Sequence, residues 1–184
     1  KLSPKRREEW FKFFKNNPYV DYAIARVYPR QIEKRNISRA ANLAAQRAFC
    51  RLAKTYNLTP KTCRIFLDGG LFLGNGKWKM PARRSPDLPA RASQWQAGDS
   101  RCLVGGENEK LIRAKTVVRG DEKIKVIAIS SIIAKVIRDR GMVRLAKKYP
   151  QYGFEIHKGY GTKRHMAAVR RHGPSKAHRT TFIS

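Results

Sequence analysis

Residues 114–139 read AKTVVRGDEKIKVIAISSIIAKVIRD. A β-rich run, Ala114 to Val118, leads to Arg119-Gly120 and then to Asp121. A long segment follows in which Ile129, Ile132, Ile133, Val136 and Ile137 recur at helical spacing. Asp121 is therefore expected on a turn where a strand hands over to a helix, with Lys and Arg around it. In α/β folds such strand ends face a crevice, and chemistry is placed there. Working outward, Cys63-Arg64-Ile65-Phe66-Leu67 reads as a second, buried strand, ended by Asp68-Gly69-Gly70. Two aspartates at two strand ends form a candidate pair for a divalent cation, which prefers oxygen ligands. Taken singly, each is also an ordinary turn residue, since Asp-Gly is a common turn pair.

The chain has 184 residues, which favours one domain, 1–184, with room for a real core. Lys and Arg total 41 against 13 Asp and Glu, a formal net charge of +28. Such a charge attracts polyanions, and nucleic acid is the natural partner. An anionic membrane fits less well, because no segment sets a clean basic face against large apolar residues. No apolar run approaches the ~20 residues that span a bilayer. Cys50, Cys63 and Cys102 are odd in number and form no Cys-x-x-Cys pair, so neither zinc nor a disulfide framework is suggested. A reducing, cytoplasmic setting and a monomer are expected. The first residue is Lys rather than Met, and the first ten are mostly charged, which reads as a fragment or processed product without a signal peptide.

Ser3 and Pro4 suit the start of a helix, with Trp10, Phe13 and Phe14 as its apolar face and Asn16-Asn17-Pro18 as its stop. Tyr19 to Tyr28 reads as a strand ended by Pro29, and residues 30–36 as a polar connection. A long helix is expected from Ile37 to about Tyr56, with Ala41, Ala44, Ala45, Ala48, Phe49, Leu52 and Tyr56 as one stripe. Arg39, Arg47, Arg51 and Lys54 read as its solvated face. Residues 74–110 are rich in Gly, Pro, Arg and Ser without sustained periodicity, and read as a flexible insertion. Trp78 and Trp95 lie there among Lys and Arg, a combination that also suits base stacking. The helix after Asp121 is expected to run to Tyr149, with a possible break near Gly141. His157-Lys158-Gly159-Tyr160-Gly161-Thr162 is a Gly-rich loop, and a helix from Lys163 to His172 stops at Gly173-Pro174.

These pieces, in order, resemble the type 2 ribonuclease H family, specifically bacterial ribonuclease HII. The resemblance rests on Lys1-Leu2-Ser3-Pro4-Lys5-Arg6-Arg7-Glu8, on Asn36-Ile37 with its alanine-rich helix, and on Leu67-Asp68-Gly69 and Arg119-Gly120-Asp121. Its strongest parts are Ser131 to Asp139 and Tyr152-Gly153-Phe154 through Thr162, followed by His172-Gly173-Pro174-Ser175 and His178-Arg179. It implies an α/β, RNase H-like fold: a mixed five-stranded sheet flanked by helices, with a helical C-terminal region. It implies an endonuclease that cuts the RNA strand of RNA–DNA hybrids and nicks duplex DNA 5′ of embedded ribonucleotides. Four carboxylates with Mg2+ or Mn2+ would perform two-metal-ion hydrolysis. By motif, Asp68 and Asp121 match catalytic, metal-binding positions, and Arg119 stands where the family has Lys, keeping the charge but changing its geometry. Tyr160 matches the tyrosine that packs on the sugar at the RNA–DNA junction. Arg119, Lys135 and Lys158 are further nucleic-acid-binding candidates. Asp139, within the helix, reads as structural.

Two departures are visible. The 74–110 stretch separates Asp68 from Asp121 more than expected of a bacterial member. The family's N-terminal strand, with adjacent Asp and Glu and then Gly-Arg-Gly, has no counterpart in these 184 residues. The expectation is that the N-terminal strands of the fold are missing, that the parent protein is the nuclease, and that these residues alone do not cleave. The alternative is a non-catalytic, basic nucleic-acid-binding module derived from the same fold. Either way, the carboxylates of Asp68 and Asp121 are expected to converge at one rim of the sheet.

Overall fold

The computed structural model describes residues 2–58, 63–71, 73, 99–104, 110–179, 181 and 183. Three strands form one mixed sheet: β1 (Ile65–Asp68), β2 (Asp99–Val104) and β3 (Lys110–Val117), in the order β1-β3-β2. β1 and β3 run parallel, with Asp68 opposite Val117, while β2 runs antiparallel to β3, with Val104 opposite Lys110. Parallel pairing puts the C-terminal ends of β1 and β3 at one rim of the sheet. This is an α/β arrangement of the kind the resemblance implies: a mixed sheet flanked by helices, followed by a helical C-terminal region.

Helix α1 (Pro4–Asn16) starts as its sequence directs: Ser3 Oγ accepts from the Arg6 amide at 3.3 Å, and Pro4 fills the first position. Its buried face is Phe11 and Phe14, whereas Trp10 and Phe13, expected inside, are exposed. Phe11 and Phe14 pack on Ile133 and Val136 of α5 (Lys125–Lys148), with Val20, Tyr22 and Ile24 at the edge. Helix α3 (Ile37–Tyr56) is capped by Asn36, whose Oδ1 accepts from the Arg39 amide at 3.0 Å, and it stops at Asn57 in the left-handed region. Ala45 and Phe49 of its stripe pack on Leu67, Leu73 and Ala114, which seats α3 on the sheet. Tyr56, at the end of that stripe, is exposed. Among the described residues no helix is long and apolar enough to cross a membrane.

Four expectations are corrected. Residues 19–28 form no strand. Strand definition requires a hydrogen-bonded ladder, and none of the described strands lies alongside. Pro29 does not end an element but opens one, α2 (Pro29–Arg35), where its fixed φ and missing N–H suit the first turn. Residues 99–104, within the stretch read as insertion, form β2; Trp78 and Trp95 lie outside the described residues. Helix α5 passes through Gly141 without interruption, its neighbours on both sides being good helix formers.

Beyond α5, a 3-10 turn (Pro150–Tyr152), α6 (Phe154–His157) and α7 (Lys163–His172) enclose a third core of Ala146, Tyr152, Phe154 and Val169. Thr162 caps α7, its Oγ1 accepting from the His165 amide, and Gly173 ends it at φ +70°. Cys50 and Cys63 are half-buried.

Candidate active site and nucleic-acid interface

The turn after β3 carries the first half of the site. Val118 and Arg119 lead into α4 (Gly120–Lys123), and Arg119 adopts the left-handed region at φ +54°. The conformation brings the Gly120 amide against the end of β1, where Asp68 Oδ1 accepts from it at 2.9 Å. The same oxygen accepts from the Gly69 amide, also at 2.9 Å. The carboxylate of Asp68 is thus bonded to the residue that immediately precedes Asp121. Gly120 is closely packed: a Cβ there would stand 2.6 Å from the end of the Ile127 side chain, Cδ1, and 3.3 Å from Asp68 Oδ1.

Asp121 faces α5. Lys135 Nζ lies 4.0 Å from its Oδ2, a half-exposed pair of small net worth. Arg119 is more exposed and stands 3.9 Å from Glu122. The carboxylates of Asp68 and Asp121 are hard oxygen donors, and that donor chemistry fits a divalent cation. Among the described residues no cluster of three or more His, Cys, Asp or Glu side chains suited to a metal is present.

One turn further along α5, Arg138 carries the second half. Its guanidinium lies 4.5 Å from the centre of the Tyr160 ring, and its Nη2 donates to the Lys158 carbonyl at 2.9 Å. Lys135 and Arg138 are three residues apart and therefore share a helix face, about 4.5 Å along the axis. Tyr160 is 61% exposed, so its ring is presented to solvent. The loop beneath it is fixed by Lys158 and Gly159, both at positive φ. A Cβ at Gly159 would meet Met142 Cε at 2.7 Å. Lys158 Nζ donates to the Glu155 carbonyl at 2.7 Å, so its ammonium presently closes α6.

Under this loop lie three histidines that spacing alone did not single out. His157 and His165 stack with centroids 4.2 Å apart, and His165 Nε2 lies 3.1 Å from His178 Nε2. Burial pushes the pKa of both His165 and His178 below the ordinary 6.5, and the neighbouring histidines push the same way. Both are thus favoured in the neutral form, and the stability they contribute is full above 6.5 and is lost as the pH falls through their lowered values. The melting temperature is expected to drop on acidification from about pH 7.5 to about pH 5.5, before carboxylates titrate. A melting temperature that stays flat over that interval would contradict the burial of neutral rings.

Asp139 behaves as the sequence suggested. It pairs with Arg7 at 3.4 Å and with Arg138 at 3.8 Å, tying α1 to α5. Arg140 on the same helix pairs with Glu8 and lies over the Phe11 ring. Missed in the sequence were the Gly120 amide as a partner of Asp68 and Arg138 as the partner of Tyr160. For Arg138 a signal existed, since it stands one turn from Lys135 at the position facing the same side.

A model of the ribonuclease HII family matches residues 105–184. The chain is 35% identical over 182 residues to a ribonuclease HII of Coxiella burnetii (strain Dugway 5J108-111), covering 99% of this chain and 69% of that protein. It is 33% identical over 181 residues to a ribonuclease HII of Natranaerobius thermophilus, covering 98% of this chain and 70% of the relative. With a ribonuclease HII of Alkaliphilus metalliredigens it shares 33% identity over 184 residues, all of this chain and 72% of the relative. These matches agree with the order of the motifs and with the mixed sheet, and the chain belongs to the ribonuclease HII family of ribonuclease H endonucleases.

Proposed function

We propose that this chain is the substrate-holding part of an endonuclease that hydrolyses the RNA strand of RNA–DNA hybrids and nicks duplex DNA 5′ of embedded ribonucleotides. The observation that carries the reading is the shared face of α5: Lys135 meets Asp121, and one turn on Arg138 meets the exposed ring of Tyr160. A carboxylate rim and an aromatic platform one helical turn apart suit a phosphodiester next to its sugar.

Asp68 and Asp121 would hold Mg2+ or Mn2+, which when bound activates water and stabilises the departing 3′-oxygen. The chain's own groups do the rest. Gly120 and Gly69 orient the Asp68 carboxylate, and Lys135 offsets charge beside Asp121. Tyr160 packs on the sugar. Arg119, Lys158 and the surrounding cations take phosphates.

Two-metal-ion hydrolysis of the family type uses four carboxylates, and Asp68 and Asp121 supply two. Two carboxylates balance one divalent cation rather than two, so these 184 residues are expected to bind substrate and not to cut it. The second reading, a basic binding module without catalysis, draws on the net charge of +28. A labelled RNA–DNA hybrid incubated with the chain and Mn2+ tests the first reading. The expected result is a gel shift without product. Robust turnover that vanishes in Asp121→Asn would contradict inactivity, and absence of any shift would remove hybrid binding altogether.

A further inference from the structure

Tyr160 is the residue to which the substrate contact is assigned above, and the inference that follows rests on that reading. Its backbone carbonyl accepts twice: from the Thr162 amide at 2.8 Å and from His165 Nδ1 at 2.9 Å. The second contact is one end of a chain that crosses from the C-terminal segment into α7.

One set of directions satisfies the bonds of that chain. The Ser175 amide lies 3.0 Å from His178 Nδ1, and an amide can only donate, so Nδ1 accepts. The Ser175 hydroxyl, 2.8 Å from the same nitrogen, fits as a second donor. A neutral His178 therefore carries its proton on Nε2. That proton points at His165 Nε2, 3.1 Å away, which must accept. A neutral His165 then carries its proton on Nδ1, and the Tyr160 carbonyl can only accept it. The chain closes without conflict in one arrangement. Protonating His165 at Nε2 would set two donors against each other, and protonating His178 at Nδ1 would do the same against Ser175.

The surroundings hold the rings neutral and in place. His157 of α6 stacks on His165, and its own tautomer is set independently: Gly159 N donates to its Nδ1, and its Nε2 lies 2.6 Å from the Tyr152 carbonyl. Phe154 packs edge-on against His165, and Tyr152 lies 4.7 Å from the His178 ring centre. Titratable groups that meet His165 and His178 include His157 of α6, the two histidines themselves and Tyr152 from the 3-10 turn. Both rings are buried. On the other side of the loop, Arg138 holds the Tyr160 ring and the Lys158 carbonyl.

We propose that His165 and His178 are positioning residues for Tyr160. A hydrogen-bond chain of fixed direction, from Ser175 through both imidazoles to the Tyr160 carbonyl, sets where the tyrosine ring meets the sugar. Neither imidazole touches nucleic acid. They act only through the loop, opposite Arg138.

The test has one arm that needs no variant. Long-range proton–nitrogen correlation spectra of the imidazoles in the full 184-residue chain report the tautomers. The expected result at neutral pH is His165 protonated on Nδ1, with His178 and His157 protonated on Nε2. His165 protonated on Nε2, or charged, overturns the proposal.

The second arm measures affinity for a duplex with one ribonucleotide. His165→Ala is expected to weaken binding by the same several-fold factor as Tyr160→Ala, and the double variant by no more than either. His165→Asn places an amide donor where Nδ1–H stood and is expected to recover most of the loss. Additive losses in the double variant, or no recovery with Asn, overturn the proposal. Should Tyr160→Ala itself bind like the unaltered chain, the substrate contact assigned to the tyrosine fails, and the tautomers alone then decide the chain of bonds.

Discussion

Phe154→Ala is expected to lower the unfolding free energy by about 3–5 kcal/mol, the usual cost of removing a large buried ring. Phe154 is 2% exposed and stands at the centre of the third core. Its ring stacks on Tyr152 at 5.5 Å and meets His178 at 5.3 Å, His165 at 5.6 Å and His157 at 5.8 Å. Truncation would leave a cavity bounded by the 3-10 turn, α6, α7 and the C-terminal segment, and rigid aromatic neighbours collapse poorly into such a space. A domain of this size has roughly 5–15 kcal/mol in total, so the variant loses a large share. The readout is the urea midpoint at unchanged slope. Tyr19→Ala, at a ring 94% exposed, is the contrast, with a change of about 0.5 kcal/mol or less expected. A Phe154→Ala loss under about 1 kcal/mol would mean the aromatic–histidine cluster is not a core.

Raising salt from about 50 mM to about 200 mM is expected to weaken hybrid binding by roughly a thousandfold, the consequence of releasing counterions at about six phosphate contacts. With 41 Lys and Arg on 184 residues, cations are not scarce; what matters is which face they share. Arg119 is exposed at the strand-end turn, and Lys135 and Arg138 line the face that runs to Tyr160. Arg119→Ala should reduce the slope of affinity against salt by about one contact, whereas Tyr160→Ala should lower affinity without changing the slope. A salt effect under about tenfold would argue that the nucleic acid is held by something other than its phosphates.

Much of the architecture was legible because its signals are local. The isoleucine spacing of 129–137 describes the inner face of α5, and Asp-Gly after an apolar run marked the end of β1. Caps at Ser3 and Asn36 placed the starts of α1 and α3. What failed was structure that depends on a partner elsewhere. Residues 19–28 have strand-like composition, yet a strand exists only beside another strand. Pro29 reads as a stop because proline ends elements, although in a first turn it begins them. β2 disappeared into the average composition of a Gly- and Pro-rich stretch, even though Cys102-Leu103-Val104 favours a strand.

Asp68 reads from the sequence as the end of a strand and Asp121 as the turn before a helix, but the Gly120 amide that meets Asp68 depends on an arginine in a left-handed conformation. Tyr160 was visible by its motif. The groups that hold it come from Arg138 on α5 and from histidines of three separate segments, which only the packing of α5, α6, α7 and the C-terminal segment brings together.

Whether Asp68 and Asp121 form one cation site is tested directly by Mn2+ titration followed by electron paramagnetic resonance. Asn at position 68 retains an oxygen for the Gly69 and Gly120 amides, so Asp68→Asn removes charge while leaving the turn bonded. The prediction is one weakly bound Mn2+ in the unaltered chain, with affinity reduced at least ~10-fold in Asp68→Asn and again in Asp121→Asn, at unchanged melting temperature. Mn2+ binding that is the same in all three chains would contradict a shared site at the ends of β1 and β3.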